Sequence, residues 1–553
     1  MLKINVIVFL FLLFCNTGCA QNRNEETKNG QYKIIVGEQN KAQNQQAAKI
    51  LMSYLNKNVK LYDSANKTKE ITTIELNSST GLKASEFSIQ YSNGVLTFNG
   101  GPEKGLLYGV YTFIEDVMNV KWYTYQKKEE GLNRIFLKSG FSIKSSPSFE
   151  FRSIYSNDFL QHTDFADFHK VNYAFEGRKL YAHSFNDFVN PEAYFNRHPE
   201  YFAQINGKRS KDQLCLSRPE VYEIVRKELG KKIKQNPEIK NWSFSQNDNL
   251  HVCQCNLCRS KINNDNEFSE ILIPFVNKLA KEFPNYTIST LAFNQSVRPP
   301  KSIRPRENVE IMFCIADYDR FYAFGDAKDK KSVETYDSFV KWAQISNNIF
   351  IWDYTVNFFN TSSPFPNIQT LQRSLQLFKK FNVKGVFMQG VGEQQGEFAE
   401  LKSYLLSKLL WNVNANSEAI VQDFMSQYYG PGWSSINEYI DQIYSRNKGK
   451  FYLSNWEDYS FKSFDVYRNY DYYKNFFTKA LGKTSNEEQK KRILKEFVSV
   501  QYNYIENLKH LKSSGNITGN PVVKEFKKNS DFVKLDYLKY KDYKINDYLN
   551  SLK

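Results

Sequence analysis

The chain reads as an α/β protein: a (β/α)8 TIM-type barrel, preceded by a small α/β sandwich domain and followed by a helical region. Three observations predict this. Between residues 148 and 411, short apolar strands ending in polar residues alternate with helical segments, the pattern of parallel strands joined by crossover helices. Before that stretch, strands and helices mix over about a hundred residues. After Trp411 the pattern becomes helical. A length of 553 residues calls for two or three domains, and 41% hydrophobic content supplies their cores. A doubly wound open sheet is the alternative for the middle stretch, but no Gly-rich first turn accompanies it.

The N-terminus sets the compartment. Lys3 precedes an apolar run from Val6 to Phe14, followed by Cys15-Asn16-Thr17-Gly18-Cys19. One positive residue, a short apolar core and small residues make an export signal, too short to span a membrane in the mature protein. Thr17-Gly18-Cys19 resembles the end of a bacterial lipoprotein signal, which implies cleavage after residue 18, lipid on Cys19 and an outer-membrane or cell-surface location. Residues 19–30 are polar and read as a tether.

Residues 31–125 form the accessory domain. KIIVG is a strand, Gln39 to Leu55 has helical spacing, and ITTIEL, FSIQYS and GVLTFNG are short strands before the helix GLLYGVYTFIEDVM. The glycines of GGPEKG read as turns and a helix start, not as a phosphate loop. The phrase GGPEKGLLYGVYTFIEDV resembles the domain that precedes the barrel in family 20 hexosaminidases and in α-glucuronidases, which implies a support without catalytic residues. Residues 126–147 read as a linker.

In the barrel region the strands end on polar groups. FEFRSIY ends at Ser156-Asn157-Asp158, KLYAHSF carries His183, and NWSFSQ ends at Asn247-Asp248. ISTLAF ends at Asn294 and VEIMFCIA at Asp317. IFIWDY carries Asp353 and Tyr354, and VKGVFMQG carries Gln389 ahead of Glu393 and Glu397. Active sites of such barrels lie at the C-terminal ends of the strands. Residues 412–553 read as a mainly helical scaffold, with a tail that could form a few strands.

The net charge of +15 admits a nucleic-acid partner. The lysines are interspersed with acids and no basic-aromatic motif accompanies them, so they read as a solvated surface. The 36 Tyr and 44 Phe read mostly as compositional bias, with sugar-stacking platforms as the sharper alternative. No Ser-His-Asp order or nucleophile elbow occurs.

Signal removal and lipidation leave five cysteines. Cys314 lies inside an apolar strand and reads as a buried thiol. Cys215, Cys253, Cys255 and Cys258 fit a structural zinc site or two disulfides, with His251 able to replace one ligand. No cofactor is expected for catalysis.

Several blocks carry a resemblance. HSFNDFVNPEAYFNRHPEYFAQINGKR, QLCLSRPEV, SFSQNDN with CQCNLC, WDYTVNF with PFPNIQTL, and VKGVFMQGVGEQQGEFAELKSYLLSKLLW resemble the barrel of a set of exported Bacteroidetes-type proteins. One branch of that set is glycoside hydrolase family 163. The resemblance implies an endo-β-N-acetylglucosaminidase acting on the N-glycans of glycoproteins by a retaining, substrate-assisted mechanism. An exo-acting hexosaminidase, an α-glucuronidase-like enzyme and a non-catalytic glycan-binding lipoprotein are the alternatives. Met388 stands where the resemblance implies that relatives often carry an acidic residue, so position 388 receives no role.

Such chemistry needs a proton donor and a group that orients the substrate amide. Asp248, Glu393 and Glu397 are the catalytic candidates. Against them stand a turn-capping Asp, a solvated loop acid and a helix N-terminal acid. Glu400, one turn on, reads as structural. His183, Asn249, Asp353, Tyr354 and Gln389 are the candidate substrate binders, with Trp352 beside them as a ring face. A lone His is more often structural than catalytic, and His198, before Pro199, reads as a packing element.

Overall fold

The computed structural model describes residues 25–29, 32–57, 59–174, 176–392, 394–457, 464–512, 516–539 and 543–553. The proposed signal, Cys19 and Glu393 lie outside them. The chain divides into two compact units, Met1–Met118 with Leu132–Ser145, and Asn119–Gly131 with Ser146–Lys553.

In the first unit, Glu25–Asn29, Tyr32–Val36, Thr73–Ser78, Val95–Gly100, Phe87–Ser92 and Phe141–Ser145 lie side by side in that order as one mixed sheet. Burial alternates along the strands, as it must when one pleated face meets a core. Ile34, Leu76, Ile89 and Phe98 are buried, with helices Lys41–Leu55 and Gly105–Thr112 packed on the sheet. The glycines of GGPEKG serve close backbone approach. A Cβ on Gly100 would lie 1.9 Å from the Leu106 nitrogen, and one on Gly101 1.7 Å from the Lys83 carbonyl oxygen. The segment read as a linker is divided. Phe141–Ser145 pairs with Phe87–Ser92 as the edge of this sheet, whereas Asn119–Gly131 belongs to the second unit.

The second unit is built on seven parallel strands: β1 (Phe151–Ser156), β2 (Arg178–Lys179), β3 (Asn241–Ser243), β4 (Thr287–Ala292), β5 (Val309–Cys314), β6 (Ile349–Tyr354) and β7 (Gly385–Gly392). Their order is β1-β7-β6-β5-β4-β3-β2. The first strand therefore pairs with the last, and the sheet curls. Its two edges approach across the interior: the Arg178 guanidinium of β2 lies 4.5 Å from the Phe151 ring centroid of β1 and 4.4 Å from that of Phe350.

The barrel expectation calls for eight strands. Among the described residues there are seven, and β1 and β2 share no ladder. The cause is local. KLYAHSF leaves the extended region at Leu180 (φ 55°) and His183 (φ 53°), so β2 is only Arg178–Lys179 and is too short to close on β1.

Inside the curl, Phe151, Leu291, Met312, Cys314 and Phe350 pack together. Towards the N-terminal ends of the strands, Arg178 makes a two-pronged bond to Glu310 (2.6 and 3.0 Å), and Asn241 Nδ2 donates to the same carboxylate at 2.9 Å. Such pairing makes a buried charge tolerable. Pro219–Gln235, Ser269–Glu282, Lys330–Ile345, Ile368–Lys380 and Ala399–Trp411 are the long helices of this region.

After Trp411, helices Ser417–Tyr428, Trp433–Asn447, Tyr470–Gly482 and Glu487–Lys512 bury an aromatic core. The tail adds helix Pro521–Val533, then a hairpin of Tyr537–Lys539 with Tyr543–Lys544 and a last helix, Ile545–Asn550. It carries less strand than anticipated. No helix among the described residues is long and apolar enough to cross a membrane.

Candidate active site

The loop after β3 is held from both sides. Gln246, fully buried, donates to the Phe293 carbonyl at 3.0 Å and to Ser296 Oγ at 2.6 Å, tying this strand end to the end of β4. Gln213 then clamps the next residues. Its amide oxygen accepts from Asn247 N at 3.2 Å, and its amide nitrogen donates to Asn247 O at 2.9 Å and Asn249 Oδ1 at 3.0 Å. The side chains of Asn247 and Asn249 both donate to the Asp212 carbonyl, at 2.8 and 3.0 Å.

Between these two fixed asparagines stands Asp248, exposed, with no hydrogen-bond partner for its carboxylate among the described residues. A turn-capping Asp would spend its oxygens on backbone N–H groups. Here Asn249 does that work, its Oδ1 accepting from His251 N at 3.0 Å, and the acid is left free among the described residues.

Asp248 acts on the strand ends beside it. Burial pushes the Cys314 thiol of β5 up, and the negative charge of Asp248 adds to that shift. The buried Tyr354 hydroxyl of β6 is also raised, again chiefly by burial, with Asp248 among the weaker contributors.

Aromatic rings cluster at the end of β6. Trp352, partly exposed, donates through Nε1 to Gln389 Oε1 at 2.7 Å, and its ring centroid lies 5.3 Å from that of Tyr181 and 6.4 Å from that of Tyr354. Trp456 extends the cluster. It is 41% exposed, large for a Trp, and stacks on Phe358 at 4.7 Å with an edge contact to Tyr354 at 5.6 Å. Asn455 holds it there, donating to the Val356 carbonyl at 2.6 Å. Sequence reasoning missed Trp456. It comes a hundred residues after Tyr354 in a region read as scaffold, and nothing local marks it.

His183 sits in the left-handed region with Nδ1 2.9 Å from the Gln246 carbonyl oxygen. A carbonyl can only accept, so Nδ1 carries the proton. His183, Gln389, Trp352 and Tyr354 thus gather with Asp248 at the C-terminal ends of the strands.

Three predicted residues are engaged elsewhere. Asp353 alternates away from Trp352 and Tyr354 on the pleat, and its buried carboxylate pairs with Arg320. Glu397 is buried in an ion pair with Lys402 at 2.8 Å, both side chains 2% exposed. Asn249 is part of the clamp described above. Glu393 falls outside the described residues.

The cysteines pin the same loop from below. The sulfurs of Cys215, Cys253, Cys255 and Cys258 all lie within 4.8 Å of one another, and all four are buried and free. Cys215 Sγ is 3.6 Å from Cys255 Sγ and 3.7 Å from Cys258 Sγ. The edge of a tetrahedral thiolate site with ~2.3 Å metal–sulfur bonds is about 3.8 Å, so the cluster can hold a metal ion. These separations are far longer than a disulfide's ~2.05 Å. His251 is not part of the cluster; its Nδ1 lies 3.0 Å from the Asp212 carboxylate. The Gln204 N–H points at Cys253 Sγ (3.3 Å), which joins the cluster to the hairpin of Phe202–Ile205 with Lys208–Leu214, turned at Asn206-Gly207.

Fold and site together define an α/β protein with a curled parallel sheet, a free carboxylate and aromatic rings at its strand ends, and a buried thiol cluster behind them. Residues 122–443 match the family described as domain of unknown function DUF4838, and the chain belongs to it. No curated protein matches. Among solved structures, the chain is similar to a β-N-acetylhexosaminidase from Bacteroides fragilis (12% identity, TM-score 0.39, covering 70% of this chain and 89% of that one). It is also similar to a family 138 glycoside hydrolase targeting pectin rhamnogalacturonan II (9%, 0.41, 94% and 97%). A third is the family 89 glycoside hydrolase from Clostridium perfringens in complex with GlcNAc-α-1,4-galactose (11%, 0.47, 89% and 65%). At these TM-scores the likenesses carry no argument about function.

Proposed function

We propose that this protein is a glycoside hydrolase whose curled sheet works as a (β/α)8-type barrel. We assign it endo-β-N-acetylglucosaminidase action on N-glycans, with retention and substrate assistance. The observation that carries the reading is the Asp248 carboxylate, exposed at the end of β3 on a loop fixed by its neighbours, on the same strand-end side as the partly exposed rings of Trp352 and Trp456. Pyranose rings stack on such faces, and Gln389 and His183 supply hydroxyl partners.

In the reaction, the acetamido oxygen of the bound N-acetylglucosamine forms a bond to its own anomeric carbon as the glycosidic C–O bond breaks. One carboxyl gives its proton to the departing oxygen, and the other holds the acetamido N–H. Water then adds at the same carbon, gives a proton back to the carboxylate that lost one, and reopens the five-membered ring formed with the acetamido oxygen. Asp248 and Glu393 fill these two roles. The test is incubation with a panel of N-glycoproteins, with mass spectrometry of the released glycan. Binding without release would support a glycan-binding protein instead.

The thiol cluster is assigned a structural zinc, which four thiolates would hold with no open position for substrate. Elemental analysis of purified protein should give about one zinc per chain, and Cys255→Ser should lower it severalfold along with the melting temperature. A metal-free protein with all four thiols readily alkylated would rule the zinc out.

The export reading places the protein on a membrane through lipid at Cys19. Cys19→Ser should move it from the membrane to the soluble fraction; unchanged fractionation would remove the anchor.

A further inference from the structure

A cleft of about 760 Å³ opens beside β1 and β7, on the same edge of the sheet as the active site. It runs from Tyr155 and Asp158 at the end of β1, past Gly392 at the end of β7, to helices Ala399–Trp411 and Glu487–Lys512 and the tail near Tyr537. None of Asp248, Trp352, Gln389 and Trp456 lines it, while Gly392 and Gln394, on either side of Glu393, do. Its volume falls within the ~300–1,000 Å³ of small-molecule sites.

The lining says what it would take. Among the described residues it carries four acidic side chains (Asp158, Glu400, Glu488, Asp536) and four basic ones, on Lys491, Arg492, Lys495 and Lys534. The charges balance, which disfavours phosphate or a polyanion. Amides from Gln126, Asn157, Gln394 and Gln395 line it too, with tyrosine rings and apolar side chains such as Phe159 and Val391. That mixture of planar hydrogen-bonding groups and apolar faces suits neutral sugar rings. Two acceptor atoms there, Gln395 Oε1 and Glu400 Oε2, are buried with no hydrogen-bond partner among the described residues, and hydroxyls would satisfy them. Burial pushes the Asp158 carboxyl up, and its Oδ2 accepts from Tyr125 N at 3.0 Å.

We infer that this cleft is a binding subsite for neutral sugars of the glycan lying beyond those that reach Asp248. The inference rests on the glycosidase reading above and adds to it where the rest of the chain lies.

The test is calorimetric titration with a biantennary complex-type N-glycan and, separately, free N-acetylglucosamine. It is run in the Asp248→Asn background so that nothing is cleaved. Ser403→Trp places a large ring in the cleft, and Gln395→Ala removes an unpartnered acceptor. We expect the N-glycan to bind at least tenfold more weakly to the Ser403→Trp protein and severalfold more weakly to Gln395→Ala. Free N-acetylglucosamine should bind all three proteins alike. Should Ser403→Trp fail to fold, Gln395→Ala carries the test alone. Unchanged N-glycan affinity in the folded variants, or no N-glycan binding by the parent, overturns the subsite. The glycosidase reading fails by a different result: equal glycan release by the wild type and Asp248→Asn.

Discussion

Asp248→Asn is expected to lower glycan release by on the order of a hundredfold or more, the usual size of a general acid–base contribution. Stability should change little. The carboxylate is exposed and bonds to nothing among the described residues, while the loop is held by Gln213, Asn247 and Asn249. An amide of the same shape leaves that clamp intact. The leaving group tells which role is lost. If Asp248 is the acid, an activated aryl glycoside should be cleaved almost as fast as by the wild type, because it needs little protonation. If Asp248 orients the acetamido group, both substrates should suffer alike. Near-normal release from an N-glycoprotein would falsify the assignment. The measurement is kcat/KM on the two substrates, with the melting temperature as control.

Glu397→Gln is expected to destabilise the fold by about 3–5 kcal/mol, the cost of stripping the partner from a buried charge. Lys402 would keep its bond to the Phe365 carbonyl (2.9 Å) but lose the carboxylate that balances it. Replacing both residues should recover most of the loss, since two apolar side chains leave no unpaired charge. Chemical denaturation of Glu397→Gln, Lys402→Met and Glu397→Met/Lys402→Met measures this. Activity of the folded double variant should stay within a few-fold of wild type. A stable but inactive Glu397→Gln would reverse the conclusion and make Glu397 catalytic.

The two acids show why some of the site was legible in the sequence. Asp248 ends a strand in a run of amides, and strand ends in parallel sheets carry chemistry. That placement needs only the alternation of strand and helix, which is local. Glu397 lies in a similar stretch, a few residues after β7. Its partner, Lys402, is one helical turn further on, so the pair could have been anticipated; its burial could not. Burial comes from the aromatic core formed by Phe398 and the helices after Trp411.

Asp353 repeats the point. Its period-2 position away from Trp352 was readable, but Arg320 is separated from it by 33 residues and a whole helix. Trp456 had no local signal at all; it reaches the strand ends because Ser454, Asn455 and Glu457 are all bonded to the segment after β6.

By itself, the sequence determined the element types, the parallel order of the strands, the four clustered thiols and the strand-end position of Asp248. All of these follow from periodicity, turn chemistry and spacing, which act over a few residues. The tertiary structure alone decided that β2 keeps only two residues and shares no ladder with β1, since left-handed backbone at Leu180 ends it. It alone decided which acids are paired with buried cations and which one is free. Charge burial depends on which distant groups share a volume, and one-dimensional spacing holds no record of that.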